Sequence, residues 1–329
     1  MKKITSFFVI LFIATIFLSG FKSNAQDNLD TSKSELELLV QYLEENGNFI
    51  NTDAPAIVLA DEIKENLTNK KYLVIDIRSE SWFAYGHIKN AVNVAAAELL
   101  NYFETKITPS DYDKITIVCY SGQSAAYYAS LLRLSGYNNV FNLKWGMSSW
   151  AAEFAEKTWV KNSTNIFANK LQTTPNEMPA IGQLPMLKTG KTDAKDILKE
   201  RVKGAFAKPY SEFIVKADSV FTNPSDFYIV NYVNEEKYNL GHIEGAVRYE
   251  PKASLASTTS LYTIPADKKV LVQCATGQSA AYVVAYLHVL GYDVSNLGYG
   301  SNSFMNKILV EKGWDGFSAK EIKNFPIVE

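Results

Sequence analysis

The chain is poor in metal-binding residues and has no excess of basic ones. Its 329 residues include two cysteines and three histidines, and their positions give no spacing typical of a metal site. Lysine and arginine total 33 against 35 acidic residues, a formal net charge of −2, and no basic cluster stands out. A mildly acidic chain of this kind is a poor candidate for nucleic-acid binding. We therefore expect no metal, no other cofactor and no nucleic-acid partner.

Long apolar runs are also scarce, because the only one lies at the start of the chain. Lys2 and Lys3 precede an apolar stretch from Phe7 to Leu18, and small residues at 23–25 precede Gln26. This is the layout of a secretory signal peptide, and the stretch is short for a membrane span. Residues 1–25 hold three lysines and no acid, so their removal shifts the net charge from −2 to −5. We expect an exported protein, periplasmic or otherwise extracytoplasmic, with no integral membrane segment after cleavage; an uncleaved anchor is the alternative.

What the chain does contain is an internal duplication. Residues 119–127, CYSGQSAAY, return as residues 274–282, CATGQSAAY. The blocks at His87 and His242 are separated by the same 155 residues. A constant offset over several blocks indicates two copies of a complete domain. Because the two cysteines occupy the same place in the repeat, a disulfide between them is the less favoured interpretation.

Each copy alternates predicted strands and helices. In the first, apolar runs at 72–76, 115–118 and 140–143 are typical of buried parallel strands, and 60–67 and 125–134 of helices. This predicts an α/β fold with two tandem domains, each a doubly wound, mostly parallel sheet flanked by helices. We divide the chain into a signal peptide (1–25), an N-terminal helical segment (26–55), domain 1 (56–158), a linker (159–208), domain 2 (209–320) and a C-terminal tail (321–329).

The order of five short blocks resembles the rhodanese sulfurtransferase family. In the first copy these blocks are Asp76-Ile77-Arg78, Gly86-His87-Ile88, Cys119-x-x-Gly122-x-Ser124, Gly136-Tyr137 and Leu143-x-x-Gly146-x-x-x-Trp150. The second copy resembles the family more loosely. The resemblance implies a loop cysteine that accepts a sulfur atom as a persulfide and passes it to a thiol or to cyanide. Its partners would be small sulfur compounds such as thiosulfate and a thiol acceptor.

The cysteine loops themselves suit this chemistry. After Cys119, and after Cys274 in the second copy, a glycine lets the backbone curl so that successive amides face the sulfur. We expect this nest, with the positive end of the following helix, to lower the thiol pKa and to hold a persulfide. Ser124 and Ser279 are expected to cap that helix and to donate to the sulfur. The predicted loops are Tyr120, Ser121, Gly122, Gln123 and Ser124, and Ala275, Thr276, Gly277, Gln278 and Ser279.

A phosphatase is the nearest rival that also holds a cysteine in a cradle of amides. It needs an arginine six residues after the cysteine to clamp phosphate oxygens. Ala125 and Ala280 stand at those positions. The shorter loop suits one sulfur atom better than a phosphate.

Residues around the loops are expected to support them or to contact an anion. The resemblance assigns structural support to Asp76 and Arg78 and to His87 and His242, although the second copy has Asn231 and Val233 at the first two places. It also has Ala275 in place of Tyr120. These changes make Cys119 the principal nucleophile and Cys274 a subsidiary one. The possible anion contacts are Lys144, Lys237 and Arg248.

Two other functions remain open from the sequence. One is a non-catalytic module that binds a partner or carries sulfur. The other, least favoured, is a thiol–disulfide oxidoreductase, which would require Cys119 and Cys274 to meet because neither has a resolving cysteine beside it.

Overall fold

The structure, a computed structural model, describes residues 33–329, of which 34–329 form one compact unit. The predicted signal peptide lies outside the described residues. Within the described part of the chain, no helix combines the length and the apolar character that a bilayer span requires.

The first half of this unit is built around five parallel strands. Their order across the sheet is β1-β5-β4-β2-β3. The strands are β1 (Ile57–Val58), β2 (Tyr72–Asp76), β3 (Val92–Asn93), β4 (Lys114–Val118) and β5 (Val140–Leu143). The helices are α1 (Glu35–Glu45), α2 (Phe49–Thr52), α3 (Ala60–Glu65), α4 (Glu80–Tyr85), α5 (Leu99–Thr105), α6 (Gln123–Leu134), α7 (Met147–Trp150) and α8 (Ala152–Ala155).

The second half repeats the architecture, with the sheet order β6-β10-β9-β7-β8, again all parallel. Its strands are β6 (Ile214–Val215), β7 (Tyr228–Asn231), β8 (Val247–Arg248), β9 (Val270–Gln273) and β10 (Val294–Leu297). Its helices are α9 (Ala194–Phe206), α10 (Ala217–Thr222), α11 (Glu235–Leu240), α12 (Gln278–Val289) and α13 (Asn302–Lys312). Two doubly wound parallel sheets confirm the predicted fold class.

The two halves share one apolar core, in which α6 packs against α12. The ring of Tyr127 lies 5.0 Å from that of Phe213, and the Ser130 hydroxyl donates to the Tyr282 carbonyl at 3.0 Å. Both helices are rich in alanine near their starts, so their backbones approach closely. Because each cysteine loop immediately precedes one of these helices, this packing brings both loops to the boundary between the halves.

The two ends of the described chain strengthen the same boundary. The carboxylate of Glu44, in α1, accepts from the Ser257 hydroxyl of the second half at 2.7 Å. In return, the C-terminal tail reaches the first half, where the N–H of Phe325 donates to the Trp150 carbonyl at 2.8 Å. The exchange of end segments makes the pair of domains a single folded body.

Candidate active site

Cys119 lies between β4 and α6, at the carboxyl end of a central strand. Its Sγ accepts hydrogen bonds from the N–H groups of Gly122 at 3.1 Å and Ala125 at 3.4 Å. Gly122 has a φ of +85°, in the left-handed region that favours glycine, and this turns the following amides back toward the sulfur. The side chain of Asn142 donates to the Gly122 carbonyl at 3.4 Å. The loop therefore forms a concave nest of amides, a shape that binds anions.

Cys274 has nearly the same surroundings between β9 and α12. Its Sγ accepts from the N–H groups of Gly277 at 3.2 Å and Ala280 at 3.3 Å. Asn296, the counterpart of Asn142, donates to the Gly277 carbonyl at 2.7 Å. The repeated motif thus builds two equivalent nests.

Burial decides the acidity of both thiols. Only 1% of Cys119 and 3% of Cys274 is exposed. Desolvation of the thiolate raises the pKa of each cysteine above its ordinary value, and the hydrogen bonds to sulfur lower it by less. The nest does lower the thiol pKa at both sites, as predicted, but desolvation outweighs it, so the net pKa of each cysteine is raised. The amide N–H groups are also placed to stabilise negative charge that develops on sulfur during a reaction.

The helices after the loops begin earlier than expected. Their N-caps are Gly122 and Gly277, without a side-chain capping bond, so the prediction that Ser124 and Ser279 cap them is wrong. Both serines lie in the first helical turn. A hydrogen bond from the Ser124 side chain lowers the pKa of Cys119, as predicted. At Cys274 this role belongs to the side chain of Thr276, the counterpart of Ser121, and not to Ser279.

Each loop is also held by residues of the opposite half. The Gln123 Oε1 accepts from the N–H of Tyr299 at 2.8 Å. In the second loop, the Gln278 Oε1 accepts from the Asn142 Nδ2 of the first half at 3.0 Å. Each glutamine of the repeated motif therefore ties its own loop to the opposite half of the molecule.

A cavity of about 380 Å³ adjoins the Cys119 loop. The residues that line it include Ser121, Ser124, Tyr210 and Tyr299. Its volume falls in the range of small-molecule sites. Cys119 itself is not part of the wall. Since the Ser124 side chain both contacts this thiol and lines the cavity, the sulfur lies just behind the wall.

A buried ion pair supports the Cys119 loop from the side. The Arg78 Nη2 donates to the Asp76 Oδ2 at 2.7 Å and to the Gly86 carbonyl at 2.7 Å. The guanidinium carbon also lies 5.9 Å from the centre of the Tyr120 ring. These contacts connect the end of β2 to α4 and to the loop.

The second half lacks this support. Asn231, Val233 and Ala275 stand at the equivalent positions, beside a cavity of about 10 Å³, which holds roughly one water molecule. The buried Asn231 Oδ1 and His242 Nε2 have no hydrogen-bond partner among the residues that the structure describes. The Cys274 site keeps its nest but not the ionic framework around it.

The histidines of the repeat lie in the framework. Nδ1 of His87 is hydrogen-bonded to the Phe83 carbonyl at 2.9 Å, and Nδ1 of His242 to the Tyr238 carbonyl at 2.8 Å. Both cysteines are free thiols. In residues 33–329, no group of three or more histidine, cysteine or acidic side chains is placed to hold a metal ion.

The three candidate anion contacts have different surroundings. The Lys144 Nζ pairs with Asp315 at 2.7 Å, and Arg248 pairs with Glu250. Lys237 lines the small cavity of the second half. None of the three lines the cavity beside Cys119.

Three aromatic residues of this site are not predicted from the sequence. Tyr210 and Tyr299 form a cavity wall, and the Trp159 Nε1 donates to the Ser121 carbonyl at 3.0 Å. For Tyr299 a signal existed, because Trp145 occupies the equivalent place after the last strand of the first half. Tyr210 and Trp159 lie in or near the linker, where no periodic pattern marks a residue for the site.

The fold and the site together define a pair of α/β domains with a cysteine held in a nest of amides. The family pattern described as Rhodanese-like domain matches residues 59–153 and 222–307, which is more than half of the chain. The chain therefore belongs to the rhodanese-like family and contains two copies of its domain.

Similar proteins match parts of the chain. Thiosulfate sulfurtransferase GlpE of Pseudoalteromonas translucida is 30% identical over 94 residues, which are 28% of this chain and 86% of that protein. The GlpE protein of Haemophilus influenzae is 35% identical over 79 residues, 24% of this chain and 71% of its own. The putative sulfur carrier protein YrkF of Bacillus subtilis is 24% identical over 136 residues, 40% of this chain and 71% of that protein.

Two solved structures are also similar. A rhodanese-related protein from Thermoplasma volcanium is 24% identical with a TM-score of 0.26, covering 31% of this chain and 92% of that one. The EanB/Y353A complex with ergothioneine is 16% identical with a TM-score of 0.26, covering 75% of this chain and 96% of that one.

Proposed function

We propose that the protein is an exported sulfurtransferase that carries sulfane sulfur as a persulfide on Cys119. The observation that carries the proposal is the amide nest around this sulfur beside a cavity of about 380 Å³. Export rests on the sequence of residues 1–25 and is tested by whether the mature protein begins at Gln26.

The reaction has two displacement steps. The Cys119 thiolate attacks the outer sulfur of thiosulfate, an S–S bond forms on the protein, and the bond to the sulfonate breaks as sulfite leaves with the electron pair. A thiol or cyanide then attacks that outer sulfur, and Cys119 departs as a thiolate. The N–H groups of Gly122 and Ala125 stabilise negative charge on sulfur in both steps.

The raised thiol pKa places a demand on this mechanism. Because Cys119 is buried and burial raises its pKa, its loop must open for the donor to reach the thiolate. The hydrogen bonds from Trp159 and from Tyr299 are among the contacts that hold the loop in place. We therefore expect loading by sulfur to accelerate with rising pH.

Thiocyanate formation from thiosulfate and cyanide tests the proposal. We expect Cys119→Ser to lower the rate by more than about a hundredfold, because the nucleophile is lost. Cys274→Ser, the matched control in the equivalent nest, should keep most of the activity. Retained activity in the first variant, together with loss in the second, would reverse the assignment.

A sulfur carrier without turnover is the second candidate. It is favoured by the burial that raises both thiol pKa values and by the similarity to the putative sulfur carrier protein. It predicts that Cys119 takes up one sulfur atom but forms no thiocyanate with cyanide over many cycles.

A further inference from the structure

The cavity beside Cys119 has a lining that selects among ligands. Its walls include the rings of Tyr128, Tyr210 and Tyr299 together with Ile214. Among the described residues that line it, none is charged. Lys208 and Glu212, on either side of Tyr210 in the chain, are exposed and lie outside the wall.

Such a lining disfavours an ionic ligand. A sulfonate or carboxylate that enters the cavity while the loop is closed would lose water without gaining an opposite charge, and that desolvation is costly. The N–H groups of Gly122 and Ala125 do not compensate, because they are directed at the Cys119 sulfur. A ring or aliphatic group would instead bury apolar surface against the tyrosines. Thiosulfate is also an anion, but in the proposed mechanism it reaches Cys119 only after the loop has opened and the amide N–H groups are free to contact it.

Resting on the proposed function, we infer that the sulfur acceptor at Cys119 is a thiol with an uncharged, apolar body of about one ring. The acceptor thiolate attacks the outer sulfur of the persulfide, and the new S–S bond forms as the bond to Cys119 breaks. Cys119 leaves as a thiolate, and the acceptor becomes a hydropersulfide without net oxidation. The outer sulfur of the persulfide lies ~2 Å beyond Sγ. Because the Ser124 side chain contacts the thiol and also lines the cavity, we expect the outer sulfur to reach the cavity beside Ser124.

Single-turnover discharge of the loaded protein tests this inference. The persulfide on Cys119 is mixed with phenylmethanethiol or with 2-mercaptoethanesulfonate, and loss of one sulfur is followed by intact mass. Dividing each rate by that of the same thiol with a small free persulfide removes differences in intrinsic reactivity. We expect phenylmethanethiol to be favoured by about tenfold or more, since only the sulfonate must be desolvated. Equal normalised rates, or faster discharge by the sulfonate, would overturn the inference.

A charge placed in the cavity should reverse the preference. Ser211 lines the cavity and is exposed, so Ser211→Arg adds a cation at its rim. We expect faster discharge by 2-mercaptoethanesulfonate in this variant. Ser219→Arg, which adds the same charge at an exposed position in α10, is the matched control and should leave the rate unchanged. The same effect in both variants would show that net charge, and not the cavity, sets the rate.

A binding measurement separates this inference from the proposed function. The unreactive analogues phenylmethanol and 2-hydroxyethanesulfonate can be titrated into the unloaded protein and followed by amide chemical shifts around Ser124. Saturable binding of phenylmethanol alone supports the cavity's preference even if Cys119 takes no sulfur, in which case the transferase proposal alone fails. Equal binding of both analogues, or binding of neither, contradicts the preference whatever the protein's activity.

Discussion

The two halves of the molecule hold their cysteines in nearly the same way and surround them differently. Cys119 and Cys274 each accept two amide hydrogen bonds within 3.1–3.4 Å. Only the first loop has a buried ion pair beside it and a cavity of about 380 Å³ at its edge. The nest therefore follows from the short repeated motif, whereas the distinction between the sites comes from residues outside that motif.

The same comparison extends to the far ends of the two central helices. Arg133 in α6 and His288 in α12 are equivalent, 155 residues apart. Arg133 donates to the Val140 carbonyl at 3.2 Å, and burial lowers its pKa, but a guanidinium is basic enough to remain a cation. His288 packs against the Phe213 ring at 4.9 Å, and burial lowers its pKa to about 4. One half thus accommodates a permanent charge where the other keeps a neutral ring.

The largest expected effect on stability comes from a glycine that packs against each nest, Gly146 in the first half and Gly300 in the second. A Cβ at Gly146 would lie 2.6 Å from the Gly122 nitrogen, and one at Gly300 would lie 2.6 Å from the Gly277 nitrogen. Both glycines also have positive φ. We expect Gly146→Ala to destabilise the first half by about 5 kcal/mol and to stop sulfur loading of Cys119. Urea unfolding and intact mass measure the two effects. If Gly300→Ala, its counterpart, removes loading of Cys119 equally, the sites are not independent.

The ion pair of the first half provides the next test. Arg78→Met leaves the Asp76 carboxylate buried without its partner, and we expect a loss of about 3–5 kcal/mol of unfolding free energy. The double variant Asp76→Asn/Arg78→Val copies the second half and should lose clearly less. Urea denaturation of both variants measures the two losses of unfolding free energy. Equal losses would mean that packing, not the uncompensated charge, is what the arginine contributes.

The dependence of the unfolding free energy on pH tests the difference between Arg133 and His288. The unfolded histidine takes up a proton near pH 6.5, while the folded one resists protonation until about pH 4. Folding is therefore opposed progressively as the pH falls through that window, by up to about 3 kcal/mol. His288→Leu should remove this part of the decline, which is measured as the difference between the two curves of unfolding free energy against pH. Parallel curves would contradict the lowered pKa.

The smallest expected effect concerns Lys144, which pairs with Asp315 at a partly exposed site. We expect Lys144→Met to cost less than about 1 kcal/mol and to leave the KM for thiosulfate unchanged. Asp315→Asn breaks the same pair and is the control for stability. A raised KM in the lysine variant alone would restore the sequence-based proposal that Lys144 contacts an anion.

The sequence predicts much of the fold and the nest because both depend on local patterns. The constant offset of 155 residues reveals the duplication, and the strand Tyr72–Asp76 lies where its apolar run predicts. A glycine three residues after each cysteine is enough to predict the curl of the loop. The N-terminal helical segment predicted for residues 26–55 likewise includes α1, which begins after the Ser34 cap.

The features that the sequence did not predict depend on contacts between the halves. The thiol pKa is raised because burial in the folded molecule desolvates both cysteines, an effect that no local pattern encodes. The cavity wall requires Tyr210 and Tyr299 to meet Ser121, residues that are far apart in the chain. The capping role expected of Ser124 was wrong because the left-handed Gly122 caps the helix two residues earlier.

The central claim is that Cys119 is the residue that takes up sulfur. Peptide mass analysis after incubation with thiosulfate tests it most directly, because it reports each cysteine separately. The account predicts one added sulfur atom on the peptide that contains Cys119, with loading that increases as the pH rises. Sulfur found only on the Cys274 peptide, or on neither, would contradict it.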